Sequence, residues 1–437
     1  MRILVGVCAR QKPDIFRLFL TSLFGLDTEG LTVDYHFIFH NWEEGKDLLS
    51  SFAQPQGSVL AESYRSDNDY IVDEMTHRWN NALVADMSAM KNRIIDHALR
   101  KGYDGVFFVD SDLLLYSETL RWLVDSGKDV VAEVFWTRWT PNEPAKPNAW
   151  DYDHYGILDG SLDLWRVPGT YRVAGTGACI LLRRAALTQG LSYALVPGVS
   201  WWGEDRAMQL RAAVLGIPIH LDTHYPAHHL YRQEEVAHIG AWSALRPKVR
   251  KTEGNRIAAM MVLGGDAVRH LEGALEGLGP LCDEVAVLCE AAVAERVQQI
   301  ASVFPRVRVR PVPPAAQGAG EKSLRHLVWE FAAETEPDWL LAVDPDERFE
   351  DGGRERLRAM LDQTSFDIIA LNNNLVANPR RRANGPSTVQ RFVPYVLRYF
   401  PQFPYAFAEP GKETSPFPVN VGRFPACGVD LSVTCVS

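Results

Sequence analysis

The sequence predicts an α/β fold in which a mainly parallel, doubly wound sheet is built twice over. Three observations predict it. Short apolar runs of strand length alternate with longer segments whose apolar residues recur at helical spacing. One run in the first half, Val106-Phe107-Phe108-Val109, ends in Asp110-Ser111-Asp112, and one in the second half, Trp339 to Val343, ends in Asp344-Pro345-Asp346-Glu347. Aligning Asp110 with Asp344 sets an offset of 234 residues (344 − 110), at which Ala98 falls on Ala332, so helix, turn, strand and acidic end repeat without a gap.

In chain order, Ile3 to Ala9 reads as a buried strand, Pro13 to Phe24 as a helix and Tyr35 to Phe39 as a second strand. Met87 to Arg100 is a helix, and Gly105 to Val109 is the strand that delivers the aspartates. The second half gives a strand from Ile257 to Leu263, a helix from Val268 to Leu278, and a strand from Glu284 to Leu288. The helix Ser323 to Ala333 then precedes the strand Trp339 to Val343. The polar, basic stretch Arg246 to Gly254 marks the boundary, so the expected domains are 1–250 and 254–437. Pro311 to Gly320 reads as a surface loop.

Composition narrows the class. The 437 residues exceed one typical domain, and 46% hydrophobic with 23% charged residues is an ordinary globular balance. A net charge of −10 argues against a broadly basic nucleic-acid surface; Arg380-Arg381-Arg382 and the Lys248, Arg250, Lys251 group read as solvated loops. The six cysteines form no C-x-x-C pair and read as reduced thiols, with Cys8 and Cys179 as small core residues. The N-terminal apolar run is too short for a signal peptide, and no run approaches a membrane span. A soluble, cytoplasmic protein is the expectation.

The acidic strand end carries the chemistry. Side chains alternate along an extended chain, so Asp110 and Asp112 reach the same rim while Ser111 points away. Ligands of parallel sheets sit at the carboxyl ends of the strands, where these residues lie. Two carboxylates there suit a hard divalent cation, which in turn can hold a diphosphate. Such an ion can absorb negative charge that develops on a departing diphosphate. Hard oxygens with one imidazole suit Mn²⁺ or Mg²⁺; His224, His228 and His229 compete as the third ligand. Glu204 and Asp205 offer two carboxylates beside aromatic residues, one of them a candidate base.

Ile3-Leu-Val-Gly-Val-Cys-Ala-Arg10, Met90-Lys-Asn-Arg93, Val109-Asp-Ser-Asp112, Val173 to Arg183, Trp202-Gly-Glu-Asp205 with Arg211 and Leu215-Gly216, and Asp222 to Leu230 follow one another in an order that resembles the GT-A fold of family-2-like glycosyltransferases, over residues 1 to about 235. The resemblance implies two tandem GT-A-like, Rossmann-like domains and a metal-dependent hexosyl transfer from a nucleotide-diphosphate sugar, of UDP or GDP type. It implies Asp110, Asp112 and His229 as metal ligands. Asp205 is implied as base, with Glu204 beside it. Ala9, Arg10, His40, Asn41, Lys91, Asn92, Arg93, Asp110 and Ser111 are implied along the donor, and Trp201, Trp202 and Gly203 at the sugar or acceptor. Val130 to Trp150 resembles the donor-proximal strand and a Pro- and Trp-rich lid. Phe39-His40-Asn41 lacks the acidic residue such enzymes use to read the base. The second half, through Trp339 to Arg348, Gln390-Arg-Phe and Leu397-Arg-Tyr399, resembles another branch of the family. Asp344 and Asp346 are its candidate metal ligands, but no clear Glu-Asp helix follows, which leaves a degenerate copy serving structure or acceptor binding, or a second active site, as the readings.

Other classes fit less well. An Asp-x-Asp phosphatase normally continues with Thr or Val where this chain has Leu113 to Leu115, and nucleotidyl transfer would want a Gly-rich loop where Cys8-Ala-Arg-Gln-Lys-Pro13 stands. A non-catalytic carbohydrate- or nucleotide-binding scaffold is opposed by the complete Asp110, Asp112, Glu204, Asp205 set. The sequence does not specify the acceptor (glycan, lipid-linked sugar, small molecule, protein or modified nucleobase), the stereochemistry or the oligomeric state.

Overall fold

The structure is a computed structural model that describes residues 1–52, 55–68, 71–72, 77–199, 203–312, 323–373, 392–412 and 415–435. Trp201, Trp202, Arg380 to Arg382, Gln390 and most of the Pro311 to Gly320 loop lie outside the described residues. The chain divides into two compact α/β units, Met1–Pro247 and Lys248–Ser437.

In the first unit, the strands Val59–Tyr64, Thr32–His40, Arg2–Ala9 and Gly105–Phe108 lie side by side in parallel. Ile180–Arg183 then runs antiparallel to both Gly105–Phe108 and Val130–Thr137, and Ile219–His229 returns parallel to the latter. The central strands are buried on both faces and accordingly read as continuous apolar runs. Phe16, Phe19, Leu20 and Leu23 of the helix Pro13–Phe24 pack one face, while Met90, Ile94, Ile95 and Ala98 of the helix Asn81–Lys101 pack the other. That second helix is capped at its start by the Asn80 side chain, which accepts from the Ala82 and Leu83 amides, and at its end by Gly102. It crosses the sheet closely at Gly6, where a Cβ would stand 2.9 Å from Ile94 Cγ2 and from Phe108.

The second unit repeats the pattern. Val307–Val312, Glu284–Glu290, Ile257–Leu263 and Trp339–Ala342 are parallel neighbours. Phe392–Arg398 then runs antiparallel between Trp339–Ala342 and Ile368–Asn373, and Ala426–Cys435 returns parallel. Both units are therefore Rossmann-like, mainly parallel sheets in tandem. The predicted helix from Val268 starts later, at Leu271, because Gly265–His270 forms a 3₁₀ turn first. Ser323 is not within its helix but caps it, accepting from the His326 amide.

None of the six cysteines is in a disulfide. Among the described residues no helix is long and apolar enough to cross a membrane.

Candidate functional site

A cleft of about 860 Å³ opens at the carboxyl edge of the first sheet. Ala9, Arg10, His40, Lys91, Asp110, Ser111, Asp112, Gly203, Glu204, Asp205 and His229 all line it.

Two short-range devices bring Asp112 to His229. Directly after the acidic triplet, Leu113–Leu114 pairs antiparallel with the end of Ile219–His229, setting Leu113 opposite His229. The Leu230 amide also donates to the Asp112 carbonyl at 2.8 Å. His229 Nε2 then stands 3.5 Å from Asp112 Oδ2. Its other nitrogen, Nδ1, is 2.8 Å from Thr137 Oγ1, which fixes the ring so that Nε2 faces the aspartate. Gln11 Nε2 donates to Asp112 Oδ2 at 3.3 Å. Burial, opposed by Lys91 and reinforced by Asp112, Asp205 and Glu204, pushes the Asp110 carboxyl up to about 7. Among the described residues, no three His, Cys, Asp or Glu side chains already stand at metal-ligand spacing. The donor set of Asp110, Asp112 and His229, with the imidazole already oriented, nonetheless suits Mn²⁺ or Mg²⁺.

The other rival histidines face elsewhere. His224 Nδ1 lies 2.9 Å from Asp222 Oδ1 and receives the Trp122 indole N–H at 3.1 Å. His228 stacks near Trp242, and neither residue lines the cleft.

Glu204 and Asp205 begin the helix Glu204–Leu215, whose N-terminal dipole favours negative charge. Gly203 precedes them at φ 100°, a conformation an L side chain adopts only with strain. A Cβ there would also meet Tyr155 Oη at 3.1 Å. Lys91 Nζ donates to Glu204 Oε1 at 2.6 Å and to Asp205 Oδ1 at 3.1 Å, and sits 4.6 Å from the Tyr193 ring centroid. Burial alone would depress the Lys91 ammonium; Asp205 and Glu204 overcome it and hold the group charged, well above its ordinary range. Burial pushes the Asp205 carboxyl up to about 6, with Lys91 pulling against the rise and Glu204 adding to it. Arg206 and Arg211 do not pair with Asp205. Arg206 reaches Asp153 and His154, and Arg211 donates to the Ser192 carbonyl.

His40 and Asp86 also line the cleft, with His40 Nε2 3.5 Å from Asp86 Oδ2. Asp86 accepts from Ser66, Asn68 and Tyr64; burial acts to raise its pKa, but these hydrogen bonds hold the carboxyl below the usual range. Asn41, at φ 48°, does not line the cleft; its amide N–H groups donate to the Ser66 and Asn68 carbonyls and its carbonyl accepts from Arg10.

Several expectations shift. Lys91 is engaged by the two carboxylates rather than standing clear for a phosphate. Asn92 accepts from the Tyr193 amide at 2.9 Å, and Arg93 is half exposed and paired with Glu62, so neither lines the cleft. Cys8 lines the cleft rather than being a purely interior residue. In the second unit the Asp344 side chain is 49% exposed and meets Arg325 at 3.3 Å.

The sequence placed Thr137 and Trp150 only within the run Val130 to Trp150 and Gly177 only within Val173 to Arg183, and it did not single out Tyr155; all four line the cleft. Tyr155 is held in the cleft by positive φ at both His154 and Tyr155, which no composition signal announces. Gly177 was visible only as part of a Gly-rich run; a Cβ there would stand 3.4 Å from Asp205 Oδ2.

No protein-family model and no curated protein matches the chain. Solved structures similar to it include Staphylococcus aureus TarS 1–349 in complex with UDP-GlcNAc, at 12% identity and TM-score 0.32, covering 52% of this chain and 58% of that one. The same protein without a named ligand gives 14% identity and TM-score 0.31, covering 57% and 67%, and its UDP complex gives 13% and 0.31, covering 52% and 60%. A likeness of this size leaves the function to be read from the cleft.

Proposed function

We propose that the chain is a metal-dependent glycosyltransferase of the GT-A type, moving a sugar from a nucleoside-diphosphate sugar to an acceptor hydroxyl in the cleft of the first unit. The observation that supports this reading is the convergence of Asp110, Asp112 and His229 with Glu204 and Asp205 in one cleft at the carboxyl edge of the sheet. A diphosphate cannot rest beside so many carboxylates without a counter-charge. Asp110, Asp112 and His229 would hold Mn²⁺ or Mg²⁺, and the ion, when bound, supplies Lewis-acid neutralisation of the leaving diphosphate.

The remaining roles belong to the chain. Ala9, Arg10 and His40 bound the end of the cleft where the nucleoside would lie. In an inverting transfer, an Asp205 oxygen takes the acceptor hydroxyl proton as the hydroxyl oxygen bonds to the anomeric carbon. The bond from that carbon to the phosphate oxygen breaks, and its electron pair leaves with the diphosphate. An ionisation near 6 leaves Asp205 charged yet basic enough to accept a proton at neutral pH. Trp150 and Tyr155, whose ring centroids are 4.5 Å apart, form an aromatic wall of the cleft beside it.

The second unit reads as a non-catalytic copy serving structure or acceptor binding. Its described residues between Phe392–Arg398 and Ala426–Cys435, the place of the Glu204–Leu215 helix, contain no helix.

The test is incubation with UDP- and GDP-sugars, with and without Mn²⁺. Metal-dependent release of nucleoside diphosphate is expected. Phosphate release from a phosphomonoester would favour a phosphatase, and no turnover of any donor would favour a non-catalytic scaffold.

A further inference from the structure

Lys91 is a buried cation that the donor-binding role does not use. It lies on the core-facing side of its helix, in the series Val84, Ser88, Lys91, Ile95, Ala98. Only 4% of it is exposed, and an ammonium in that position is tolerated only with close anionic partners. Both partners come from the first turn of one helix: Glu204 at 2.6 Å and Asp205 at 3.1 Å, in sequence 113 and 114 residues away. The Tyr193 ring covers a further side of the ammonium.

We propose that Lys91 is a positioning residue that holds Glu204 and Asp205 in the orientation needed for transfer, and is not a ligand of the donor phosphates. The proposal rests on the glycosyltransferase reading and deepens it by assigning the order of the parts: Lys91 acts on the acceptor side of the cleft, through the carboxylates. Geometry favours this order. A phosphate ligand must offer its donors to the ligand, whereas two of the three Lys91 protons are directed at Glu204 and Asp205. Adjacent carboxylates also repel one another, and a cation between them fixes their separation. Gly203, at φ 100°, immediately precedes the helical turn from which both acidic side chains reach Lys91.

The test separates the two roles of a lysine in such a cleft. Lys91→Met keeps the length and burial of the side chain, and Lys91→Arg keeps the charge. Calorimetric binding of UDP and GDP with Mn²⁺ should be unchanged within about twofold in Lys91→Met, while kcat should fall by about 100-fold, the scale of losing a well-placed base. Lys91→Arg should recover part of kcat with the donor KM unchanged. A donor affinity that drops tenfold or more, with kcat preserved, would make Lys91 a phosphate ligand and overturn the proposal. A readout that needs no turnover accompanies it: urea unfolding of Lys91→Met, Glu204→Gln and the double variant. Strong non-additivity is expected because the groups share one contact; additive effects would overturn the assignment. Should the wild-type protein bind no nucleotide at all, the proposed function fails, while this unfolding cycle still decides whether Lys91 holds the carboxylates.

Discussion

The two units differ by what has been placed on one scaffold. At the 234-residue offset Lys91 corresponds to Arg325 and Asp110 to Asp344. Leu113, whose strand partner is His229, corresponds to Glu347, whose partner is Cys435. The register that sets an imidazole beside the acidic pair in the first unit therefore sets a thiol there in the second. The cations diverge too. Lys91 is buried between Glu204 and Asp205, whereas Arg325 is about a third exposed and turns to Asp344 itself. The lesson is that a sheet edge and an acidic strand end are cheap to duplicate. The helix bearing Glu204 and Asp205, which gives the buried lysine something to hold, is what separates the units.

That contrast can be broken in several ways. The largest effect expected is on transfer: Asp205→Asn should lower kcat by about 100-fold or more, while Asp346→Asn in the second unit should leave it unchanged. A steady-state assay in which Asp346→Asn proved equally damaging would make the second unit catalytic. Stability should divide the units next. Removing the charge in Lys91→Met leaves the buried Glu204 and the partly buried Asp205 without their partner, a loss of about 3–5 kcal/mol; Arg325→Met, at a solvent-screened pair, should cost less than about 1 kcal/mol. Comparable urea midpoints for the two variants would erase the distinction.

Ligand linkage should follow. Mn²⁺ together with a nucleoside diphosphate at about 100-fold above its Kd should stabilise the wild type by roughly 2.7 kcal/mol in thermal melts. Asp112→Asn should abolish that gain and Asp344→Asn should not. Retained stabilisation in Asp112→Asn would move the metal elsewhere. The smallest effect concerns pH. Asp205 must be ionised to accept a proton, and burial places its ionisation at about 6. The rate should therefore fall as pH drops below that value, by about tenfold per unit, and a pH–rate profile flat from 7 to 5 would remove Asp205 as the base.

Much of this was legible without coordinates. Strand–helix alternation survives in sequence because buried strands and amphipathic helices impose different periods on apolar residues. The Asp110-Ser111-Asp112 end was visible for the same reason: the run that stops is as informative as the residues that follow. Lys91 shows the limit. Its place in the Val84, Ser88, Lys91, Ile95, Ala98 series was open to inspection, and that spacing already put it on the buried face. Its partners, however, lie more than a hundred residues away, and periodicity says nothing about which charge meets which. Tyr155 was illegible outright, since it depends on two successive positive φ angles.

The amino-acid order alone thus determined the class of fold, its duplication and the residue types available for metal and proton chemistry, because local pattern encodes local structure. Tertiary structure decided which histidine faces Asp112, that the buried lysine serves the carboxylates, and that the second acidic end stands beside an arginine and a thiol. These are outcomes of strand register and helix packing between distant segments, where a displacement of one residue would send a different side chain into the cleft.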